Sequence, residues 1–110
     1  MSIVTQGIRD LVKKAISDNT VMIFSKSYCP FCIRAKDIFD DLNVDYKALE
    51  LNEDKNGEAI QSALAELTQQ KTVPNIFINQ QHLGGADALK DALASGKLDK
   101  ILKDAGVAKL

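Results

Sequence analysis

The residues of this chain best suited to covalent chemistry are its two cysteines, Cys29 and Cys32, which are separated by a proline and a phenylalanine. A short apolar run, TVMIFS at residues 20–25, precedes them and predicts a buried strand. Apolar residues at helical spacing follow and predict a helix whose first position is Pro30. Two cysteines at this spacing, in a strand–helix–strand setting, favour thiol–disulfide exchange.

The two cysteines are expected to have different roles. Cys29 would cap the helix, where the N–H groups of the first turn and the partial positive charge of the helix N-terminus stabilise a thiolate. Lys26 adds a cation nearby. These effects together make Cys29 the predicted nucleophile. Cys32 lies one turn later, on the side of the helix that also carries Ala35, Phe39 and Leu42. We therefore expect Cys32 to be buried and to resolve a mixed disulfide formed on Cys29.

Two structural explanations for the cysteine pair are weaker. A structural zinc ion needs about four ligands, and the chain adds only one histidine, His82, far from the cysteines in sequence. A structural disulfide between these cysteines would close a very short loop, and stabilisation grows with loop length. No metal site is predicted.

Composition narrows the class of protein. The 110 residues, 45% apolar and 26% charged with a net charge of −1, fit one soluble domain spanning residues 1–110. This charge does not favour nucleic-acid binding, and no apolar run approaches the roughly 20 residues of a membrane span. The N-terminal segment lacks the pattern of a secretory signal, which predicts a cytoplasmic protein. Thiols are kept reduced there, so a disulfide would be transient and catalytic.

Hydrophobic periodicity predicts the element order α-β-α-β-α-β-β-α-α. The predicted strands cover residues 20–25, 44–51 and 75–79, with a short one around His82 and Leu83. Such an order implies an α/β fold with a mixed central sheet and helices on both faces. Ligands in such sheets bind at the carboxyl ends of parallel strands, and the cysteine pair follows the first strand.

Three motifs together resemble a dithiol glutaredoxin. They are YCPFC after a strand, TVPN at residues 72–75 before a strand, and GG-x-D at residues 84–87 opening a helix. The resemblance covers nearly the whole chain and implies a thioredoxin-like fold, with a four-stranded mixed sheet flanked by helices. It also implies that Pro74 is cis and faces the active cysteine.

The resemblance further implies a glutathione-dependent thiol–disulfide oxidoreductase, in which Cys29 attacks and Cys32 resolves. Expected substrates are glutathione mixed disulfides and some protein disulfides, and glutathione is the reducing co-substrate. No permanently bound cofactor is expected, and the protein is expected to be a monomer. Its expected partners are glutathionylated or disulfide-containing proteins.

A glutathione site follows from the same resemblance. Its implied residues are Lys26, Tyr28, Gln61, Lys71, Thr72, Val73, Pro74, Gly85, Ala86 and Asp87. Lys26, Gln61 and Lys71 match positions that bind the glycyl carboxylate, although family members often carry arginine at the last, and lysine lacks its bidentate fork. Val73 would hold the cysteinyl part. The helix N-terminus at Asp87 would receive the γ-glutamyl carboxylate, and the Asp87 side chain the ammonium group.

Alternatives remain at this point. Taken singly, the lysines fit solvated surface charges and Asp87 fits a first-turn helix residue. Some glutaredoxins bind a [2Fe–2S] cluster between two protomers, but Pro30 beside Cys29 disfavours this. A thioredoxin served by its own reductase is disfavoured because the chain has no tryptophan, and hence no Trp-Cys-Gly-Pro-Cys motif.

Overall fold

The computed structural model describes residues 3–107, and the elements follow the predicted order. They are α1 (Gln6–Asp18), β1 (Val21–Ser25), α2 (Pro30–Asp41), β2 (Lys47–Glu50), α3 (Gly57–Thr68), β3 (Asn75–Ile78), β4 (Gln81–Gly84), α4 (Ala86–Ser95) and α5 (Lys97–Asp104). β2 is shorter than predicted. α2 ends at Asp41, and Asn43 then takes a left-handed conformation (φ 57°) that the short polar side chain of asparagine tolerates.

The four strands form one mixed sheet in the order β2-β1-β3-β4. β1 is parallel to β2 and antiparallel to β3, and β3 is antiparallel to β4. This topology confirms the predicted four-stranded mixed sheet. All five residues of the central strand β1 are buried, and its carboxyl end leads directly to the cysteine pair.

The sheet separates two layers of core. Val21 and Ile23 of β1 pack in the layer that α2, α4 and α5 cover, whereas Met22 and Phe24 pack in the layer that α1 and α3 cover. Successive side chains of a strand point to opposite faces, so Ser25, the next residue, faces the α2 layer. Both layers bury mainly aliphatic and aromatic side chains, whose removal from water is the main stabilising contribution to folding.

Four leucines at apolar positions of the helical pattern remain accessible in the structure. Their exposed fractions are 38% for Leu11, 36% for Leu42, 50% for Leu67 and 44% for Leu93. A helix lying on a sheet buries only the central part of its apolar stripe, and these residues lie at the margins. Within residues 3–107, no helix has both the length and the apolar character needed to cross a membrane.

Candidate active site

Cys29 lies at the N-cap of α2, four residues after the end of β1. Its backbone is extended (φ −83°, ψ 119°), and Pro30 begins the helix. The Cys29 N–H donates to the Lys26 carbonyl at 3.0 Å, and the Cys29 carbonyl accepts from the Ile33 N–H at 3.0 Å. These two bonds fix the nucleophile candidate between the loop and the helix.

Two reciprocal hydrogen bonds join the loop before Cys29 to the segment that follows β2. The Ser27 N–H donates to Asn52 Oδ1 at 3.0 Å, and Asn52 Nδ2 donates to Ser27 Oγ at 2.8 Å. Asn52 therefore ties the segment after β2 to the turn that carries Cys29. Sequence reasoning treated the segment containing Asn52 only as a loop.

The Cys29 thiol is free and partly accessible, and its surroundings favour the thiolate. Partial burial raises the pKa of Cys29, but the N–H and side chain of Cys32, the N–H of Phe31 and the charge of Lys26 outweigh that effect and bring the pKa below its usual value. The sulfur accepts no fully formed helix-capping hydrogen bond, so the stabilisation comes from several donors held close to it. Such a cysteine is a stronger nucleophile at neutral pH than an ordinary one.

Cys32 has the opposite environment. Its side chain is fully buried, and its Sγ accepts a hydrogen bond from the Lys26 N–H at 3.5 Å. Burial raises the pKa of Cys32, and the neighbouring Cys29 adds to the increase, whereas the Lys26 N–H and the Ser25 hydroxyl oppose it. The predicted difference in accessibility between the two cysteines is confirmed, and at neutral pH Cys32 is held as a thiol.

A cleft of about 460 Å³ borders the first turn of α2. Its lining consists of Phe31, Gln70, Thr72, Val73, Pro74, Gly85, Ala86, Asp87 and Ala88. The structure thus brings together six of the ten residues implied for glutathione, from the loop before β3 and the start of α4. The Val73–Pro74 peptide bond is cis, as the resemblance implied. Phe31 is 54% exposed and forms an accessible rim of this cleft.

The main chain at Val73 is available to a ligand. Within residues 3–107, neither the N–H nor the carbonyl of Val73 forms a hydrogen bond. An extended peptide could therefore pair with Val73 as a short added strand. At the other side of the cleft, the first turn of α4 presents unpaired N–H groups beside the Asp87 carboxylate, as the start of any helix does.

The remaining four predicted residues lie outside the lining of the cleft. Lys26 is next to Cys29 and lowers its pKa. The Gln61 side chain is held by a hydrogen bond, because its Nε2 donates to the Lys71 carbonyl at 2.9 Å. This bond joins α3 to the loop before β3. Lys71 is exposed, and Tyr28 is 67% exposed, so a core role for Tyr28 is excluded.

Comparison with known proteins identifies this arrangement. The family model described as Glutaredoxin matches residues 21–83, which include both cysteines and most of the cleft. The chain belongs to the glutaredoxin family. It is 49% identical to a glutaredoxin of Solanum lycopersicum over 86% of this chain and 87% of that protein. It is 52% identical to glutaredoxin-1 of Rhizophagus irregularis over 86% of this chain and 94% of that protein.

A solved structure agrees with the sequence relatives. The crystal structure of a buckwheat glutaredoxin–glutathione complex matches with a TM-score of 0.92 and 36% identity, covering 94% of each chain. The fold is therefore thioredoxin-like, as predicted. The dithiol motif on this fold makes the protein a glutaredoxin-type thiol–disulfide oxidoreductase.

Sequence reasoning missed one residue that shapes the glutaredoxin cleft. Gln70 Nε2 donates to the Thr72 carbonyl at 3.0 Å and to the Pro74 carbonyl at 2.9 Å, and so braces the loop on either side of Val73. The signal available in the sequence was weak, because a glutamine between a helix and a loop is usually exposed.

His82 has a partner that the sequence did not reveal. Its Nε2 lies 2.9 Å from Asn75 Oδ1, and its ring packs on Phe77 with the centroids 5.1 Å apart. Partial burial lowers the pKa of His82, so the ring is neutral at neutral pH. His82 links β4 to β3 and is not part of the lining of the cleft.

Proposed function

We propose that this glutaredoxin uses glutathione to reduce glutathione mixed disulfides and some protein disulfides. The observation that supports this most directly is the accessible Cys29, with its lowered pKa, beside a cleft lined by the cis-proline loop and the start of α4. A buckwheat relative with the same fold has been crystallised with glutathione, which fits a cleft of this kind.

Cys29 acts as the nucleophile in the first step. Its thiolate attacks the glutathione sulfur of a mixed disulfide, the substrate protein leaves as a thiolate, and Cys29 becomes joined to glutathione. A second glutathione thiolate then attacks the glutathione sulfur on Cys29, which releases glutathione disulfide and restores the Cys29 thiolate. Each cycle reduces one mixed disulfide and oxidises one free glutathione, because the other half of the released glutathione disulfide comes from the substrate.

Glutathione binds with its charged ends at opposite sides of Cys29. The γ-glutamyl carboxylate faces the N–H groups at the N-terminus of α4, which favour anions, and the Asp87 carboxylate faces the ammonium group. Lys26 and Lys71 lie on the glycyl side, where Gln61 fixes the Lys71 main chain. Val73 pairs with the cysteinyl main chain, flanked by Thr72 and Pro74.

Cys32 is needed only when the substrate is a protein disulfide. Its thiolate attacks the mixed disulfide between Cys29 and the substrate, and an internal disulfide forms as the second substrate thiol leaves. The burial of Cys32 fits this role, because a buried sulfur reaches Cys29 but not a bulky substrate. We further propose that the protein works as a cytoplasmic monomer on glutathionylated or disulfide-containing proteins.

A coupled assay tests the proposal. Reduction of a glutathionylated peptide is followed with either glutathione plus its reductase or thioredoxin reductase as the electron source. We expect activity when glutathione and its reductase supply the electrons and none when thioredoxin reductase does. We also expect no activity for Cys29→Ser and retained activity for Cys32→Ser. Turnover supported only by thioredoxin reductase, or persisting in Cys29→Ser, would contradict the proposed function.

A further inference from the structure

Ser25 is a buried polar residue with no role in the mechanism above. It is fully buried at the last position of β1. Within residues 3–107, its hydroxyl oxygen completes no hydrogen bond, although buried hydroxyl groups normally have a partner. An unpartnered hydroxyl directly before the loop that carries Cys29 therefore needs an explanation.

Ser25 lies under α2, the helix that carries Cys32. Alternation along β1 points its side chain to the face that α2 covers, and Cys32 is one of the α2 residues buried on that face. The next residue along the chain, Lys26, donates its N–H to Cys32 Sγ at 3.5 Å. The Cys32 sulfur therefore lies at the carboxyl end of β1, beside the Ser25 hydroxyl.

The Ser25 hydroxyl is not held by the neighbouring strand. Glu50 is its Cα partner in the parallel register, and one Glu50 oxygen, Oε2, is paired with Lys36 Nζ at 2.9 Å. The other oxygen, Oε1, is buried and likewise has no hydrogen-bond partner within the described residues. Since Ser25 and Glu50 do not bond to each other, the hydroxyl is free to rotate towards the Cys32 sulfur.

We propose that Ser25 is a positioning residue for the resolving step. Its hydroxyl and the Lys26 N–H form a buried two-donor site that stabilises the Cys32 thiolate once Cys29 is joined to glutathione or to a substrate. This role rests on the dithiol mechanism proposed above. It concerns the second exchange step only, so it leaves the assignment of Cys29 as the nucleophile unchanged.

The two-donor site acts at the right stage of the cycle. In the reduced protein, burial raises the pKa of Cys32 and the nearby Cys29 raises it further, while the Lys26 N–H and the Ser25 hydroxyl lower it. When Cys29 enters a mixed disulfide it loses its negative charge, so its opposition to a second thiolate disappears. The two donors remain, so the pKa of Cys32 falls from its value in the reduced protein at the stage where Cys32 attacks.

The step balances as follows for the glutathione adduct. The Cys32 thiol releases its proton to solvent, and the thiolate attacks Cys29 Sγ. The Cys29–Cys32 bond forms as the bond between Cys29 and glutathione breaks. Glutathione leaves with the electron pair as a thiolate and takes up a proton from solvent. Cys32 is oxidised, the glutathione sulfur is reduced, and no further reactant is needed.

Other charged groups around this site must be kept constant in a test based on pH. Cys29 belongs to the same helix, Lys26 comes from the loop after β1, and Asp87 lies across the cleft on α4. The ion pair between Lys36 of α2 and Glu50 of β2 is also close, since Glu50 is the Cα partner of Ser25. None of these residues is altered in the variants below, except Cys29 where the experiment requires it.

The first experiment titrates Cys32 directly. In a Cys29→Ser protein, Cys32 is the remaining cysteine, and its thiolate is followed by ultraviolet absorbance against pH. We expect Ser25→Ala to move the titration midpoint upward by about one pH unit, which is what losing a hydrogen bond to a charged sulfur represents. Ser25→Thr keeps a hydroxyl and should keep the midpoint. Ser27→Ala, whose hydroxyl faces Asn52 instead, is the matched control.

Either of two results would overturn the role of Ser25 in this titration. One is an unchanged midpoint in Ser25→Ala. The other is an equal shift in the alanine and threonine variants, which would trace the effect to packing. Circular dichroism establishes that each variant is folded, and if the alanine variant is unstable, Ser25→Val, which has the shape of threonine without the hydroxyl, is compared with Ser25→Thr. Because no glutathione is present, this measurement does not depend on the proposed function.

The second experiment measures the resolving step itself. Reduced protein with both cysteines is mixed with glutathione disulfide, quenched with acid, and resolved by mass into reduced, adduct and internal-disulfide forms. We expect Ser25→Ala to slow conversion of adduct to internal disulfide about three- to tenfold relative to adduct formation at neutral pH, because the thiolate fraction falls more than its nucleophilicity rises. The difference should disappear at alkaline pH.

The outcomes separate the two proposals. If no adduct forms on Cys29 even in Cys32→Ser, the proposed function fails. If the adduct forms and Ser25→Ala converts it with the wild-type rate and pH dependence, only the role of Ser25 fails.

Discussion

Gly57 is the position where the structure predicts the largest effect of adding a single methyl group. It opens α3 against the main chain of Leu51, and a Cβ built on Gly57 would overlap the Leu51 carbonyl oxygen and lie 2.8 Å from its carbonyl carbon. Leu51 cannot yield freely, because its N–H donates to the Ser25 carbonyl at 2.8 Å. A shift of the main chain at Leu51 would therefore strain the end of β1, beside the loop that carries Cys29.

The magnitude for Gly57→Ala follows from these contacts. Overpacking of a buried site costs about 1–3 kcal/mol, and weakening the Leu51–Ser25 hydrogen bond adds about 0.5–1.5 kcal/mol. We expect the free energy of unfolding to fall by about 2–4 kcal/mol, which in a domain of this size lowers Tm by roughly 10 °C or more. The matched control is Gly7→Ala at an exposed position of α1, where the new Cβ would be 3.7 Å from Thr5 Oγ1. That substitution should stabilise by up to about 1 kcal/mol.

Urea unfolding followed by circular dichroism gives both free energies, provided that the slope of the free energy against urea is the same in all variants. The two glycine substitutions should move the midpoint in opposite directions. If Gly57→Ala unfolded at the same urea concentration as Gly7→Ala, the Leu51 main chain would have to be free to move, and the close packing described here would be refuted.

Two further predictions concern the site. Lys26→Gln removes a cation that lowers the pKa of Cys29, so the rate of Cys29 alkylation by iodoacetamide should fall about threefold at neutral pH and match the wild type at alkaline pH. An unchanged pH profile would show that the charge of Lys26 does not reach the sulfur. Asp87→Asn should raise KM for a glutathionylated peptide about three- to tenfold, because a charged partner for the ammonium group is lost, and should leave the alkylation rate of Cys29 unaltered. An unaltered KM would place the ammonium group elsewhere.

Much of the molecule follows from local patterns in the sequence. Element order follows because the periodicity changes between helix and strand at each boundary, and Cys32 is buried because it shares a helix face with Ala35 and Phe39. The motif resemblance added what periodicity does not contain, namely the cis bond before Pro74 and the approach of the start of α4 to Val73.

What the sequence did not reveal depends on the direction of particular side chains. Gln70 turns back onto the loop around Val73, and Asn52 reaches across to Ser27. Such contacts join residues on separate segments, and a polar residue in a loop gives the same local signal whether it faces solvent or braces another loop. The place of Ser25 on a strand could be predicted from local pattern, but its neighbours could not, since the register of β1 against β2 and the packing of α2 are tertiary features.

The division of the core into two layers also determines how substitutions combine. Val12 belongs to the layer under α1 and α3, and Leu98 to the layer under α4 and α5, with the sheet between them. Residues that share no neighbours change stability independently, so the losses from Val12→Ala and Leu98→Ala should add in the double variant within about 0.5 kcal/mol. Measured unfolding free energies of the four proteins would show a departure if the layers were coupled. Either layer can thus be repacked, by selection or by design, without readjusting the other, as long as β1 keeps its place between them.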